Sequence, residues 1–307
     1  MAVIETEGLT KRYGDTLAVE DLDLRVREGE IFGFLGPNGS GKTTTIGMLL
    51  GILTPTAGRF RLFGRGDRPG LLEARQRTGA TLEQPNFYPY MSGRDNLRMV
   101  ARVKGVGAGA VDRALERVGL AARAGDKFKG YSLGMKQRLA LAATLLGDPD
   151  LLILDEPTNG LDPEGMREIR RVIRRLGEGG TTIFLSSHLL WEVERVCTRV
   201  AILRNGRVAL RSRVEELTAG TARVGVSADD MEALARALED HPAARIESRE
   251  GGVLVVELEE GDPADLNRHL AGRGIHLSRL EPRRRTLEDA FLEATGASSA
   301  PGMEEVA

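Results

Sequence analysis

The stretch Ile31–Thr43 reads IFGFLGPNGSGKT and decides the fold. Its first five residues, Ile31–Leu35, predict a short buried strand. The strand runs directly into Gly36–Thr43, which fits the pattern G-x-x-x-x-G-K-[ST], and a helix is expected to begin near Lys42. A glycine-rich turn between a strand and a helix, ending in a lysine and a hydroxyl, is the arrangement that cradles phosphates. The sequence therefore predicts a nucleoside triphosphate site at this turn.

Each residue type in the turn suits a task in phosphate binding. The three glycines let backbone N–H groups curl around the β-phosphate, where a side chain would block the approach. Lys42 is expected to reach β- and γ-phosphate oxygens, and the Thr43 hydroxyl is expected to bind Mg²⁺. A glycine-rich turn with an incidental lysine is the alternative, which the flanking strand and helix disfavour. The residues predicted to contact nucleotide here are Gly36, Pro37, Asn38, Gly39, Ser40, Gly41, Lys42, Thr43 and Thr44.

An acidic pair follows a second apolar strand, Leu151–Leu154. This strand would carry Asp155 to the carboxyl edge of the sheet, beside the phosphate turn, where Asp155 can hold Mg²⁺ through water. Glu156 then stands one residue further on, placed to polarise an attacking water. A strand ending in two solvated acids is the alternative. Together with the phosphate turn, however, the pair predicts hydrolysis of ATP or GTP.

Strands alternate with helices through the first two thirds of the chain. Val3–Arg27 predicts short strands, and Thr181–Leu185 predicts another buried strand. Residues 84–146 are predicted to be mostly helical. A further helix lies between the second and third buried strands, with one apolar stripe formed by Met166, Ile169, Ile173 and Leu176. This alternation predicts an α/β fold with a largely parallel sheet.

The helix that carries this stripe is also rich in arginine, at Arg167, Arg170, Arg171, Arg174 and Arg175. These residues are expected opposite the apolar stripe, which favours a solvated helix face over a nucleic-acid surface. The formal net charge of −2 agrees with this interpretation, because nucleic-acid-binding domains carry an excess of positive charge. No nucleic-acid partner is expected.

The pattern changes after residue 218. Residues 222–296 predict strand, helix, strand, strand, helix, strand and helix, with a hairpin turn at Glu250–Gly252. The βαββαβ order predicts a small α+β, ferredoxin-like domain. We therefore expect a nucleotide-binding domain over residues 1–218, containing a helical subdomain at about 84–146, then an accessory domain over 219–297 and a tail over 298–307.

Composition limits the cellular setting. Hydrophobic residues make up 41% of the chain and charged residues 29%, as in ordinary soluble proteins. The apolar runs fall far short of the ~20 residues that span a bilayer, and the start MAVIETEGLTKRYG lacks a secretory apolar stretch. The single cysteine, Cys197, excludes an internal disulfide and argues against structural zinc. These features predict a cytoplasmic protein.

The segment Tyr131–Arg138, YSLGMKQR, resembles the signature segment, usually L-S-G-G-Q, of ATP-binding-cassette (ABC) ATPases. The phosphate turn, this segment, the acidic strand and a single histidine, His188, also follow in the order of that family. The resemblance covers about residues 2–218. It implies a P-loop NTPase ABC cassette, with a RecA-like core plus a helical subdomain, that binds ATP and Mg²⁺ and works as a dimer.

The resemblance implies roles for further residues. Ser132 and Gly134 would meet the γ-phosphate of a nucleotide held by the opposite protomer. Asp162, in the D-loop-like segment Asn159–Asp162, would join the nucleotide-binding set. Tyr13 falls where an aromatic ring usually stacks on adenine, and its flat apolar face suits that task.

The catalytic set implied by the resemblance is Lys42, Glu156 and His188. Segment Ser186–His188 resembles the family's switch-histidine segment and follows a predicted strand. His188 would hydrogen-bond the γ-phosphate and hold Glu156 and the water in line. With these residues present, a cassette that only binds nucleotide is disfavoured.

The sequence departs from the family pattern at three points. Leu133 replaces the first signature glycine and Met135 replaces the glutamine, a variant that resembles ABC-2-type exporters. The segment from residue 82 to residue 90 resembles the Q-loop and fits it in two registers. Gln84 is the obvious ligand of Mg²⁺ and water, whereas counting back from the following Tyr-Pro pair places Glu83 at the family position. Both residues stay candidates.

The task implied by the resemblance is transport. One cassette without a zinc module or coiled-coil insertion resembles the ATPase subunit of drug- and antibiotic-resistance exporters of the daunorubicin and bacitracin types. Their C-terminal extension commonly closes with L-E-D-x-F, and the segment Pro282–Leu292 contains this pattern here as LEDAF. This extension would serve dimerisation or regulation, or would only stabilise the cassette.

The implied partners are a second cassette, identical or paralogous, and a separate multi-spanning permease at the cytoplasmic face of the membrane. The implied substrate is a drug, antibiotic, peptide or lipid-like molecule. Phe87–Met91 would suit a groove for a permease helix, or would pack the helical subdomain. The alternative function is a soluble ABC ATPase that remodels a protein or nucleic-acid partner.

Overall fold

The structure is a computed structural model that describes residues 1–82, 85–219, 222–258 and 262–295. The chain divides into two compact units, Met1–Val214 and Glu215–Ala307. The strands of the first unit are β1 (Ala2–Tyr13), β2 (Thr16–Arg27), β3 (Ile31–Leu35), β4 (Ala57–Leu62), β5 (Thr78–Thr81), β6 (Leu151–Leu154), β7 (Thr182–Ser187), β8 (Arg199–Arg204) and β9 (Arg207–Arg213). Its helices are α1 (Lys42–Leu49), α2 (Arg68–Gln76), α3 (Gly93–Lys104), α4 (Gly109–Arg117), α5 (Leu133–Thr144), α6 (Pro163–Glu178) and α7 (Leu190–Glu194), and α8 (Val214–Thr218) follows.

A six-stranded sheet with the order β5-β6-β7-β3-β8-β9 forms the centre of the first unit. Its first five strands are parallel, and β9 pairs antiparallel with β8 at the edge. Every residue of β3, β6 and β7 is buried, as expected for parallel strands covered on both faces. Because these three strands are neighbours, the segments that follow them meet at one edge of the sheet. The predicted α/β fold is confirmed.

A second sheet, β2-β1-β4, is antiparallel and packs its apolar face into the same core. In β2, Leu22, Leu24 and Val26 are buried and alternate with exposed residues, which is the period of a strand with one wet face. The apolar residues of α1, Ile46, Met48 and Leu49, belong to this core as well. The helix that starts at the phosphate turn is therefore held by the core of the unit.

The segment between β5 and β6 is helical, as predicted, and consists of α3, α4, two short 3₁₀ turns and α5. Serine side chains cap two of the helices, with Ser92 accepting from Asp95 N–H and Ser132 from Met135 N–H. Buried Asn96 donates to the carbonyl oxygens of Tyr88 and Ser92. These bonds fix the chain that enters α3.

The second unit contains β10 (Ala222–Ala228), α9 (Met231–Glu239), β11 (Ala244–Glu250), β12 (Val253–Leu258), α10 (Pro263–Gly272), β13 (Leu277–Arg283) and α11 (Leu287–Thr295). Its sheet has the order β11-β12-β10-β13 and is antiparallel throughout. This is the strand order of the ferredoxin-like fold that the sequence predicts. Leu287 and Ala290 of α11 are buried, and Asp289 lies 3.3 Å from Arg223 of β10. The predicted tail, 298–307, lies outside the described residues.

His241, which follows α9, is expected to make the stability of the second unit depend on pH. Its ring meets that of His269 in α10 edge-on, with centroids 4.5 Å apart. Burial, followed by the charges of His269 and Arg273, lowers the pKa of His241. The unfolded chain then binds a proton at His241 more readily than the folded unit does. The free energy of unfolding therefore has its full value above about pH 6.5 and decreases as the pH drops below that value.

We expect hydrogen exchange in residues 222–258 and 262–295, corrected for its intrinsic rate, to be faster at pH 5.5 than at pH 7.5. A His241→Gln variant should show a smaller difference between the two pH values, because it cannot titrate. If the variant and the wild type show the same contrast, the effect does not originate at His241.

No helix in the described ranges combines the length and the apolar character needed to cross a bilayer.

Candidate active site

The phosphate turn leaves β3 and enters α1, with Lys42 as the first helical residue. A Cβ atom on Gly36 would lie 2.5 Å from Ser40 Oγ, and one on Gly41 would lie 2.5 Å from the carbonyl oxygen of Ala18. Neighbouring atoms in the free protein therefore exclude a side chain at both positions.

Gly39 is required for a different reason. A Cβ atom there would meet no atom within 4 Å, but the backbone φ of +79° is one that side chains disfavour. Pro37 and Asn38 beside it are exposed, whereas Ser40 is buried. The Ser40 hydroxyl has no hydrogen-bond partner within the described ranges, which leaves its bonding capacity open at the turn.

Lys42 is held inside the turn, with 6% of its surface exposed. Its ammonium group donates to the carbonyl oxygens of Gly36, at 2.7 Å, and Pro37, at 3.3 Å. It also lies 3.3 Å from Glu156 Oε1. A buried cation that is held by two carbonyl oxygens and one carboxylate can exchange these partners for phosphate oxygens.

Glu156 lies between the other two catalytic candidates, Lys42 and His188, and contacts both. It follows β6 with a backbone φ of +46°, which is uncommon for a residue with a side chain. Besides Oε1 near Lys42, its Oε2 lies 2.9 Å from His188 Nδ1. An ionised carboxylate only accepts, so Nδ1 carries the proton in this contact. The structure thus brings together Lys42, Glu156 and His188, which are far apart in sequence.

Asp155 directly follows β6 and has 4% of its surface exposed. No lysine or arginine lies within 4.0 Å of this carboxylate in the part of the chain that the structure describes, and the carboxylate accepts a hydrogen bond from the Ser186 hydroxyl. A buried carboxylate without a basic partner suits a metal cation. Thr43, the other described candidate for Mg²⁺, is exposed at the start of α1.

The two Q-loop candidates, Glu83 and Gln84, lie outside the described residues. Within the described ranges no three acidic, histidine or cysteine side chains converge on a metal site. A cation at Asp155 would take further ligands from oxygen atoms, such as those of hydroxyl groups, water and phosphate, which Mg²⁺ prefers.

Ser186 is a residue of this site that sequence reasoning missed. Its hydroxyl donates to Asp155 Oδ1 and accepts from the backbone N–H of Glu156, at 2.9 Å. The strand register explains the contact, because Leu154 of β6 pairs with Leu185 of β7. From the sequence, this contact could have been found only by predicting that β7 pairs with β6.

The signature residues and the D-loop aspartate lie together at two helix N-termini. Ser132 caps α5, Asp162 caps α6 by accepting from Gly165 N–H at 3.0 Å, and a Cβ on Gly134 would lie 3.5 Å from Gly165 Cα. No hydrogen bond or ion pair joins Ser132, Gly134 or Asp162 to the phosphate turn within the described residues. Their predicted roles in nucleotide binding stay predictions.

Tyr13 ends β1 with 46% of its surface exposed. Lys11 Nζ lies 5.1 Å from the centre of the ring and donates to the carbonyl oxygen of Thr54 at 2.7 Å. The ring is therefore accessible, with a cation beside it. Stacking on adenine stays a prediction.

The expectation that all five arginines of α6 lie on a solvated face is wrong for Arg170. Its guanidinium is buried against α7, with Nε 3.5 Å from Glu192 Oε1 and its centre 5.4 Å from the Trp191 ring. Burial lowers the pKa of Arg170 and raises the pKa of Glu192. This ion pair ties the helix after the D-loop to the helix after His188.

The aromatic segment before α3 packs in part on the helical subdomain, and its predicted contact with a permease stays a prediction. Phe87 packs edge-on against Phe128, with ring centroids 5.4 Å apart, and so stabilises the helical subdomain. Tyr88 and Tyr90 are 59% and 72% exposed. These two rings are available to a partner.

Several known proteins similar to this chain are ATP-binding subunits of transporters. The family model described as ABC transporter matches residues 19–159. The bacitracin transport ATP-binding protein BcrA of Enterococcus faecalis is 38% identical over 298 residues, which cover 96% of each chain. The uncharacterised ABC transporter ATP-binding protein YdbJ of Bacillus subtilis (strain 168) is 38% identical over 306 residues, 99% of each chain. The Nod factor export ATP-binding protein I of Cupriavidus pinatubonensis is 37% identical over 303 residues, 96% of this chain and 91% of the relative.

Solved structures of ATP-binding cassettes are similar to about 70% of the chain. The cbiO1 protein of Clostridium perfringens, described as part of the ABC transporter complex cbiONQ, has a TM-score of 0.65 at 30% identity, over 70% of this chain and 90% of that one. A dimeric ATP-binding cassette in a post-hydrolysis state bound to ADP and Pi has a TM-score of 0.62 at 24% identity, over 69% and 98%. The second similarity concerns the fold alone.

Proposed function

The chain belongs to the ABC transporter family and is an ATP-binding, ATP-hydrolysing transporter subunit, and we propose that it powers export through a separate membrane permease. In this proposal it acts as one of two cassettes at the cytoplasmic face of the membrane, with Mg²⁺ as the metal. The substrate is a drug, antibiotic, peptide or lipid-like molecule.

The observation that carries the proposal is similarity along both units of the chain. The relatives named for bacitracin transport and Nod factor export match 96% of it. The match therefore includes the accessory unit, and not only the cassette that ABC proteins of many tasks share. Because a fold alone does not define a function, it is this full-length similarity that favours an exporter over a soluble remodelling ATPase.

In the proposed hydrolysis, Glu156 polarises the water that attacks the γ-phosphate. His188 orients the Glu156 carboxylate through the contact at 2.9 Å. Lys42 leaves its present partners and balances the charge of the phosphates. His188 Nδ1 keeps its proton and donates it in the hydrogen bond to Glu156, so only a proton on Nε2 would let the ring also donate to a phosphate oxygen.

Thr43 and Asp155 are the described residues that would hold Mg²⁺, and either Glu83 or Gln84 would add an oxygen. The cation would balance the charge on the phosphate oxygens. The buried carboxylate of Asp155 without a basic partner supports this assignment.

The proposal includes a second cassette because the family resemblance implies that the signature residues meet a nucleotide held by the opposite protomer. In line with this, no hydrogen bond joins them to the phosphate turn of their own chain in the described ranges. Ser132 and Gly134 at the start of α5, and Asp162 at the start of α6, would complete the site of the partner. The accessory unit would serve dimerisation or regulation.

The proposed function is tested by purifying the full chain from detergent-solubilised membranes of the organism that naturally produces it. We expect a multi-spanning membrane protein in stoichiometric amount, and a Tyr90→Ala variant that keeps its ATPase activity but recovers less of this partner, because the ring of Tyr90 is 72% exposed. Recovery without a membrane protein, together with ATPase stimulation by DNA or ribosomes, would favour the soluble alternative.

A further inference from the structure

The hydroxyl of Ser186 lies between the two acidic residues of the site. Ser186 belongs to β7, is fully buried, and stands two residues before His188. Its oxygen contacts both the carboxylate of Asp155 and the backbone of Glu156. One hydroxyl therefore touches the predicted metal ligand and the residue that carries the predicted base.

The two hydrogen bonds of this hydroxyl have a fixed direction. The backbone N–H of Glu156 can only donate, so Ser186 Oγ accepts from it, at 2.9 Å. The hydroxyl proton is then free for Asp155 Oδ1, which accepts it as an ionised carboxylate. The two bonds form a short hydrogen-bond chain, in which Glu156 N–H donates to Ser186 Oγ and the Ser186 hydroxyl donates to Asp155 Oδ1.

Each end of this hydrogen-bond chain fixes a group that hydrolysis needs, namely the Glu156 backbone at one end and the Asp155 carboxylate at the other. At one end, the bond to Glu156 N–H holds the residue whose φ is +46°, an unusual conformation that persists only where the surroundings enforce it. That conformation directs the Glu156 side chain towards Lys42 and His188. At the other end, the bond to Oδ1 fixes the rotation of the Asp155 carboxylate.

We propose that Ser186 is a positioning residue that sets the Asp155 carboxylate for the metal and the Glu156 backbone for the attacking water. This inference rests on the proposed function, because it assumes hydrolysis of ATP with Mg²⁺ at this site. Ser186 itself touches neither nucleotide nor water in this role, and it acts through its two neighbours.

The test replaces Ser186 by alanine and measures ATP binding to the full chain by calorimetry, with Mg²⁺ and with EDTA. We expect ATP affinity in EDTA to stay within about twofold. The Mg²⁺ concentration for half-maximal binding should rise by about tenfold and kcat should fall by about 10–100-fold, as is typical when an outer-shell partner of a metal ligand is lost. The Mg²⁺-dependent effect should largely vanish in an Asp155→Asn background, because both changes act on the same contact.

Thr182→Val is the matched control. Thr182 is also buried in β7, and its hydroxyl accepts from Gly29 N–H at 3.1 Å, at the opposite end of the strand. This variant removes one buried hydroxyl and one hydrogen bond without touching Asp155 or Glu156. Its thermal stability should fall like that of Ser186→Ala, while its Mg²⁺ dependence and kcat should stay those of the wild type.

If Ser186→Ala has the same Mg²⁺ dependence and kcat as Thr182→Val, the hydroxyl has only a structural role and the inference is overturned. A wild-type chain that binds ATP equally well with Mg²⁺ and with EDTA, and does not hydrolyse it, would contradict the proposed function and this inference with it. The two failures are thus distinguished by the wild type.

Discussion

A Glu156→Gln variant is expected to hydrolyse ATP at least about 100-fold more slowly than the wild type, which is the range for loss of a general base. Glutamine keeps the size of the side chain but cannot accept a proton from the attacking water. ATP affinity should not fall, because Glu156 Oε1 now lies 3.3 Å from Lys42 Nζ. Removing the negative charge there releases the ammonium for phosphate oxygens.

The measurement is steady-state ATPase activity, paired with gel filtration in the presence of ATP. The variant should retain ATP and accumulate as a dimer, since closed cassettes would reopen on hydrolysis. Glu178→Gln, at the exposed end of α6, is the control for a lost carboxylate and should behave like the wild type. Equal hydrolysis by Glu156→Gln and wild type would refute the assignment of the base, and a strictly monomeric species at every concentration would count against the cassette dimer.

The parts of the site that can be predicted from the sequence are those formed by residues that are contiguous in the chain. Strand β3, the phosphate turn and α1 follow one another without interruption, so the turn and its position are readable from Ile31–Thr43. Asp155 and Glu156 are readable for the same reason, because they follow directly on the apolar strand β6. Local periodicity likewise predicts the βαββαβ order of the second unit.

The parts that sequence does not predict depend on which elements become neighbours. Ser186 reaches Asp155 because β7 lies beside β6 in the sheet, and Arg170 is buried because α7 brings Glu192 to it. Gly33 is a third example, since a Cβ atom there would lie 2.5 Å from Val193 Cγ1 of α7. Helical periodicity assigns Arg170 to the polar face, and only the packing of α7 reverses that assignment.

These long-range contacts connect the segments that hydrolysis must coordinate. The Arg170–Glu192 pair joins α6, which Asp162 caps, to α7, which follows His188. The Ser186 hydroxyl joins β7 to the two acids after β6. Side-chain contacts thus hold α6 to α7 and β7 to the acidic pair, which are the elements next to the D-loop and the histidine.

Replacing Lys42 by alanine is expected to weaken ATP binding by about 100-fold or more, equivalent to ~2.7 kcal/mol. The ammonium is buried in the turn, where water screens its attraction for phosphate only weakly, and loss of one partner of a buried charge pair costs on the order of 2–5 kcal/mol. Hydrolysis should be lost with binding.

Lys104→Ala separates this loss from a general effect on folding. Lys104 also donates to two carbonyl oxygens, those of Ala143 at 3.3 Å and Leu146 at 3.0 Å, but at the end of α5. Partial burial of the ammonium lowers the pKa of Lys104. Lys104 is thus a second lysine held by backbone oxygens, although it is exposed and Lys42 is buried. Calorimetry should give wild-type ATP affinity for Lys104→Ala and the large loss only for Lys42→Ala. If Lys42→Ala binds ATP within about threefold of the wild type, the glycine-rich turn holds phosphate through its backbone N–H groups, and Lys42 acts mainly on Glu156.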